Sequence, residues 1–258
     1  MESIFVFLFS FVLVFIAKES SSVVLDLSHG YRHNITNCWE PNEFFNIFDV
    51  IEEGNHEDGT WYTTEKFSLS EHCGTHIDAP YHFNKKGWKL GDIPLERQIV
   101  EGVHINVSQE VNGNADFVLT AHHLIEWEKT YGLIPNRSVI LINFGWSHNF
   151  GNRLKYYSSE NSNMRFPGLS SEAAQWIIDT GRVYGVGVDC PSVDPGNSKT
   201  LSFHRIISKA NIYNLENVAL NGTSLPPKGF KLIIQPIKLL DGTGGPCRIL
   251  AITDNNFE

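Results

Sequence analysis

The spacing of apolar and polar positions changes several times along this chain, and each change marks an element. "VVLDLSH" (Val23–His29) reads as a first strand. Residues 30–60 lose the pattern and read as loop, with Pro41, Gly54 and Gly59 among them. "TEKFSLSEH" (Thr64–His72) alternates as a half-buried strand does. "TAHHLIEWEKTYG" predicts a helix from a Thr120 N-cap to Gly132, with Ala121, Leu124, Ile125 and Glu128 on one face. "SVILINF" (Ser138–Phe144) is the apolar run of a buried strand. "SSEAAQWIIDTG" predicts a second helix, stopped by Gly181, with Ala173, Ala174, Ile177 and Ile178 as its core stripe. "VYGVGVD" (Val183–Asp189) is a strand, "FHRIISKA" (Phe203–Ala210) a short helix, and "KLIIQPI" and "RILAIT" are closing strands. Strands and helices interleave without a repeat or a break in composition, which predicts one α/β domain over residues 21–258.

The first twenty residues follow another rule. "IFVFLFSFVLVFIA" (Ile4–Ala17) is fourteen residues without a charge, short for a membrane span and right for the apolar region of a secretory signal. We expect a signal peptide over residues 1–20, although Glu2 stands where a basic residue is usual; the alternative is an uncleaved anchor. Four N-x-S/T sequons, at Asn34, Asn106, Asn136 and Asn221, agree with glycosylation in the secretory pathway or outside the cell. Cys38, Cys73, Cys190 and Cys247 are too few and scattered for a disulfide scaffold, and their pairing is open.

A 41% hydrophobic content is enough for a substantial core, so the chain is not a disordered one. The net charge of −9, with no basic block, argues against nucleic acid and against an anionic membrane surface as partners.

The chemistry concentrates in "SEHCGTHIDAPYHF" (Ser70–Phe83), where His72, His76, Asp78 and His82 stand at offsets 0, 4, 6 and 10. On a straight strand His72 and His76 would be roughly 13 Å apart, too far to share an ion whose bonds are each ~2.1 Å. A helical turn or tight loop is therefore needed between them, and Gly74 sits where backbone freedom helps most. Asp78 can then reach the same ion, and Pro80 ends any helix, so that His82 approaches from a separate loop. Position 73 is Cys, so the built-in general base of H-E-x-x-H zinc proteases is missing. Two imidazoles and one carboxylate leave a divalent ion with residual charge and an open position, which suits catalysis and acidifies a bound water. His82 is placed to move a proton.

"HCGTHIDAPYHF" resembles the H-x-G-T-H-x-D-x-P-x-H signature of the cyclase family, which includes bacterial-type kynurenine formamidases and isatin hydrolases; every fixed position is present. The resemblance extends over nearly the whole chain after the leader. "LDLSH" resembles the family's first strand and "GVDCPSVDPG" (Gly187–Gly196) a later loop. "FHRIISKANIYNLENV" (Phe203–Val218) resembles a second metal segment, with a His followed twelve residues later by a Glu, here His204 and Glu216. The resemblance implies a swivelling β/β/α fold, one or two ions of zinc or manganese, and a homodimer or larger oligomer. It implies that His72, His76 and Asp78 hold a first ion, that Asp78, His204 and Glu216 hold or border a second, and that His82 transfers the proton. The implied reaction is hydrolysis of an amide or lactam, such as N-formylkynurenine or isatin. The alternative is a secreted protein of the same fold that binds metal and ligand without catalysis.

Cys73 lies at an odd offset between two candidate ligands, which favours packing or a disulfide over ligation. Asp189, Ser192 and Asp194 either support the site or serve the turns around Pro191 and Pro195. Trp39, Phe44, Phe45, Trp61 and Tyr62 are candidates for the walls of an aryl pocket. His29 is the remaining histidine with the strongest claim to a role, because it ends the first strand.

Overall fold

The computed structural model describes residues 22–33, 36–39, 45–158 and 163–254, without the side chains of residues 47 and 48. The expected signal peptide, the Asn34 sequon and Phe44 lie outside the described residues. The strands are β1 (Ser22–Asp26), β2 (Asn46–Asn55), β3 (Trp61–Ser68), β4 (His76–Asp78), β5 (Ile99–Asn106), β6 (Val118–Leu119), β7 (Ser138–Asn143), β8 (Gly168–Leu169), β9 (Val183–Val188), β10 (Tyr213–Glu216), β11 (Lys228–Pro236) and β12 (Gly244–Asp254). The helices are α1 (Ser108–Val111), α2 (Ala121–Tyr131), α3 (Arg153–Tyr157), α4 (Ser171–Thr180) and α5 (Ser202–Ile207).

Eight strands form one sheet in the order β1-β12-β11-β5-β7-β9-β10-β4. The short β4 also pairs with β12, which closes the sheet into a barrel. β5, β7, β9 and β10 run parallel. Their crossovers carry the helices, as parallel pairs require. This is the mixed α/β architecture expected, with the barrel as its centre.

All six residues of β7 are buried, because both its faces are covered. Ile140 and Ile142 pack toward the helices, with Leu124, Ala173 and Ile177. Val139 and Leu141 pack into the barrel, with Ile77, Leu215 and Phe230. Each such buried aliphatic side chain stabilises the fold by about 1.5–3 kcal/mol. Two glycines are cut to fit aromatic rings: Gly185 faces Tyr213 and Gly102 faces Phe230 in register across neighbouring strands. A Cβ at either would run into the ring.

Both predicted helices form, with Thr120 and Ser170 as N-caps and Gly132 and Gly181 as C-caps. The Ser170 hydroxyl accepts from the Ala173 amide at 3.2 Å, and Gly181 adopts φ 65°, left-handed backbone. The inward face of α2 differs from the expectation. Leu124 and Trp127 are buried and Ile125 is exposed, because the Trp127 indole reaches in to donate to the His104 carbonyl at 3.1 Å.

The segment expected to be loop contains β2, which pairs with β3 as a separate two-stranded ribbon. That ribbon also corrects the half-buried strand expected from Thr64. Alternation is present, but among the described residues the apolar side chains Val50, Ile51, Trp61, Tyr62 and Phe67 of the ribbon are exposed.

Gly185→Val is expected to lower stability by about 1–3 kcal/mol, because Tyr213 has no room to withdraw. Urea unfolding measures it, and an unchanged midpoint would show that the ring moves aside freely.

Candidate metal centre

Strand register brings the first pair of candidate ligands together. In β4, His76 lies opposite Glu216 of β10 on one side and Pro246 of β12 on the other. Directly opposed residues on one face stand close enough for their side chains to meet. Asp78, two residues on, shares the face of His76. His76 Nε2 accordingly lies 3.2 Å from Asp78 Oδ1 and 3.4 Å from Glu216 Oε2.

His204 enters from α5. Its Nε2 is 3.1 Å from both Asp78 Oδ2 and Glu216 Oε1. Asp194 holds it there, accepting from His204 Nδ1 at 2.7 Å and from the Phe203 and His204 amides at 2.9 and 3.0 Å. The Asp194 bond to Nδ1 fixes the ring so that Nε2 faces the two carboxylates.

His72 arrives by the turn that the spacing requires. The chain bends at Gly74, whose φ is 60°, and the His72 and His76 rings come to 5.3 Å between centroids. A Cβ at Gly244 would meet His72 Cε1 at 2.6 Å, so that glycine makes room for the ring. Thr243 Oγ1 donates to Glu71 Oε2 at 2.5 Å and lies 2.9 Å from His72 Nε2. Since the hydroxyl proton is used on Glu71, the His72 Nε2–H donates to Thr243 and Nδ1 turns to Asp78 Oδ1 at 2.6 Å.

Pro80 opens a one-turn 3-10 helix rather than ending one; a proline at the first helical position loses no needed amide bond. That turn carries His82, whose ring stacks on His72 at 4.0 Å and meets Phe83 edge-on at 4.6 Å, at the exposed edge of the centre. Burial of the stacked flank lowers its pKa, in spite of the nearby Asp78 charge.

All six residues proposed from the sequence therefore meet in one place. Two ligand-like groups share Asp78: His76, Asp78 and Glu216, all buried, and His72, Asp78 and His82. The first expected ion site, His72 with His76 and Asp78, is thus divided between two overlapping groups, with Glu216 3.4 Å from His76 and 3.1 Å from His204. Burial disfavours charge on His76, yet Asp78 and Glu216 push its pKa up to about 10. The same kind of opposition, burial against Asp194, Asp78 and Glu216, ends with the His204 pKa well above its ordinary value. Asp78 is held below the usual carboxylate range: burial opposes this, and His72 and His204 outweigh it.

Several supporting groups carried no clear signal in the sequence. Asn217, with φ 55°, donates from Nδ2 to the Gly74 carbonyl at 2.7 Å. The same carbonyl is 2.8 Å from His76 Nδ1, which must donate to it, so the open nitrogen is Nε2. Tyr156 in turn donates to Asn217 Oδ1 at 2.8 Å. Of the three acidic or hydroxyl residues weighed in the later loop, Asp194 orients a candidate ligand and Ser192 lines the pocket. Asp189 serves the fold, accepting from the Phe144, Trp146 and Ser147 amides at 2.9, 2.6 and 3.1 Å. Cys73 is bonded to Cys38, which removes it from ligation.

The centre opens into a pocket of about 290 Å³ whose apolar walls include Trp39, Phe83, Tyr157 and Leu201. Phe45, Trp61 and Tyr62 are not among its walls; Phe45 packs against Tyr31 and Phe67, and the other two lie on the exposed ribbon. His29 stacks flat on Phe150 at 3.8 Å, away from the centre.

Residues 25–195 match the family model described as "Putative cyclase". The isatin hydrolase of Roseibium aggregatum is 29% identical over 203 residues, 76% of either chain. The kynurenine formamidase of Bacillus cereus is 30% identical over 225 residues, 87% of this chain and 94% of the relative. Among solved structures, an isatin hydrolase bound to the product analogue thioisatinate superposes with TM-score 0.82 at 26% identity, covering 91% of this chain and 93% of the other.

Two outcomes follow from the geometry. Asp194→Ala is expected to weaken binding of a divalent metal about 10- to 100-fold, because His204 loses its orienting partner; chelator competition measures this, and unchanged affinity would remove Asp194 from the centre. Metal uptake near neutral pH should also release protons, because a pKa of about 10 leaves His76 protonated until metal displaces the proton. Apparent affinity then rises with pH up to that value. Titration in weak buffer reads the release, and metal binding without it would contradict the assignment of His76.

Proposed function

The chain belongs to the cyclase family, and on that footing we propose that it is a metal-dependent hydrolase of a small-molecule amide or lactam, cleaving a carbon–nitrogen bond that is not a peptide bond. The substrates we favour are an aryl formamide such as N-formylkynurenine or a cyclic amide such as isatin. One observation carries this reading. The buried His76 Nε2 lies 3.2 and 3.4 Å from the Asp78 and Glu216 carboxylates, which hold it protonated without a well-aligned hydrogen bond to either. Two buried carboxylates need a compensating positive charge, here supplied by protons on the imidazoles. A divalent cation suits the same place, since it would take the Nε2 lone pair over from the proton and neutralise both carboxylates.

His76, Asp78, His204 and Glu216, together with His72, would hold one or two ions. Imidazole and carboxylate ligands serve zinc and manganese alike. Such a metal polarises a carbonyl oxygen and makes water acidic near neutral pH. The chain's own groups do the rest. His82 reaches the pocket with a lowered pKa, so its neutral form accepts a proton and returns it to the leaving nitrogen. Trp39, Phe83 and Tyr157 offer flat walls to a planar ring and keep water from it. Asp194 and Asn217 keep His204 and His76 in the tautomers that present Nε2.

We further infer that the protein is secreted and glycosylated and works as a homodimer or larger oligomer. The leader-like segment supports export, as do the exposed sequons at Asn106, Asn136 and Asn221. Among the described residues no helix is long and apolar enough to cross a membrane. The uncovered apolar side chains of the β2–β3 ribbon support self-association.

The test pairs elemental analysis with hydrolysis assays on N-formylkynurenine and isatin. His76→Ala should lose metal and turnover together. His82→Asn should keep its metal and lose about 10²–10⁴ in kcat. Full activity in a metal-free His76→Ala protein would overturn the proposal.

A further inference from the structure

Among the described residues one disulfide forms, Cys38–Cys73, while Cys190 and Cys247 are buried free thiols. Its place in the chain is informative at both ends. Cys73 sits inside the turn that carries His72 and His76, and Cys38 immediately precedes Trp39. Trp39 lines the pocket and packs edge-on against Tyr157 and Phe166, with centroids 6.3 and 5.9 Å away.

Residues 36–39 belong to no helix or strand beyond the single bridge between Cys38 and Cys73. A few bonds reinforce that bridge. The Gly74 amide donates to the Asn37 carbonyl at 2.9 Å, and Arg153 Nη1 donates to the Cys38 carbonyl at 3.1 Å. The side-chain amide of Asn37 donates to the Phe150 carbonyl. The disulfide is thus the covalent tie between an aromatic wall of the pocket and the turn bearing its candidate ligands. A staple needed only for stability could join any two loops; this one joins neighbours of the ring and of the metal groups.

We propose that Cys38 and Cys73 are positioning residues for substrate: their disulfide fixes Trp39 relative to the His72–His76 turn and sets affinity for ligands with a planar ring. The proposal rests on the hydrolase reading in its kinetic arm only. Opening the bond is a two-electron reduction. With a water-soluble phosphine, phosphorus takes oxygen from water to become the phosphine oxide, the S–S bond breaks, and the two protons of water end on the two sulfurs.

The experiment compares wild type, the Cys38→Ser/Cys73→Ser double variant, Trp39→Ala and the triple variant, all loaded with metal. Thioisatinate binding is measured by calorimetry, isatin hydrolysis by steady-state kinetics, and metal content by elemental analysis. We expect thioisatinate Kd and isatin KM to rise roughly three- to tenfold in both the double variant and Trp39→Ala, as loss of one ring contact implies. The triple variant should rise no further, and metal content and kcat should stay at wild-type levels. Trp39→Phe should recover most of the affinity.

Unchanged affinity in a double variant of lowered Tm would overturn the proposal, leaving the disulfide a staple. Loss of metal, or independent effects that multiply in the triple variant, would overturn it as well, and so would failure of wild type to bind thioisatinate. Should the double variant not fold, wild type reduced by the phosphine takes its place with the same outcomes. A wild type that binds thioisatinate but hydrolyses neither isatin nor N-formylkynurenine refutes the hydrolase reading, and the binding arm still decides the role of the disulfide.

Discussion

The pairing of β4 with both β10 and β12 is the constraint on which the rest depends. Three residues of strand, His76–Asp78, close the barrel and carry two of the site's groups. Closure and chemistry share one register, so a slip of one residue would unseat both. The same register sets two buried carboxylates, Asp78 and Glu216, beside two buried imidazoles. Leaving such anions uncompensated in a barrel wall would cost several kcal/mol each. Without metal the compensation comes from protons, which is why the His76 pKa climbs to about 10 despite burial. A site held together by protons in this way is built to exchange them for a cation.

The surroundings act on orientation rather than on charge. Asp194 caps the start of α5 and holds His204 with the same carboxylate, so the helix position and the ring tautomer are set together. Asn217 does the corresponding service for His76 through the Gly74 carbonyl. Tyr156 and the disulfide tie this inner layer to the segments that shape the pocket. His82 stands at the exposed edge of this frame, its ring stacked on His72, and the proton transfer proposed for it would take place there.

Much of this was legible in the residues. The spacing of His72, His76 and Asp78 required a turn at Gly74, and the turn is there with a positive φ. The apolar run at β7 marked a strand buried on both faces. His204 and Glu216 could be joined to the motif only through the family resemblance, since a gap of over a hundred residues carries no periodic signal. Local pattern failed where tertiary contacts decide. Ile125 and Trp127 are both apolar and lie two residues apart, and only the His104 carbonyl selects the tryptophan. The alternation in β3 speaks for a strand but not for whether anything covers it. Asn217, Thr243 and Gly244 are commonplace residue types whose part in the site exists only through contacts distant in sequence.

The central claim is that the β4–β10 register creates a cation site bounded by His76, Asp78, His204 and Glu216. An anomalous-difference map from crystals grown with zinc or manganese tests it most directly. The account predicts a strong peak within bonding distance of His76 Nε2, Asp78 and Glu216. Crystals soaked with metal that show no peak there, while the side chains keep the arrangement described, would contradict it.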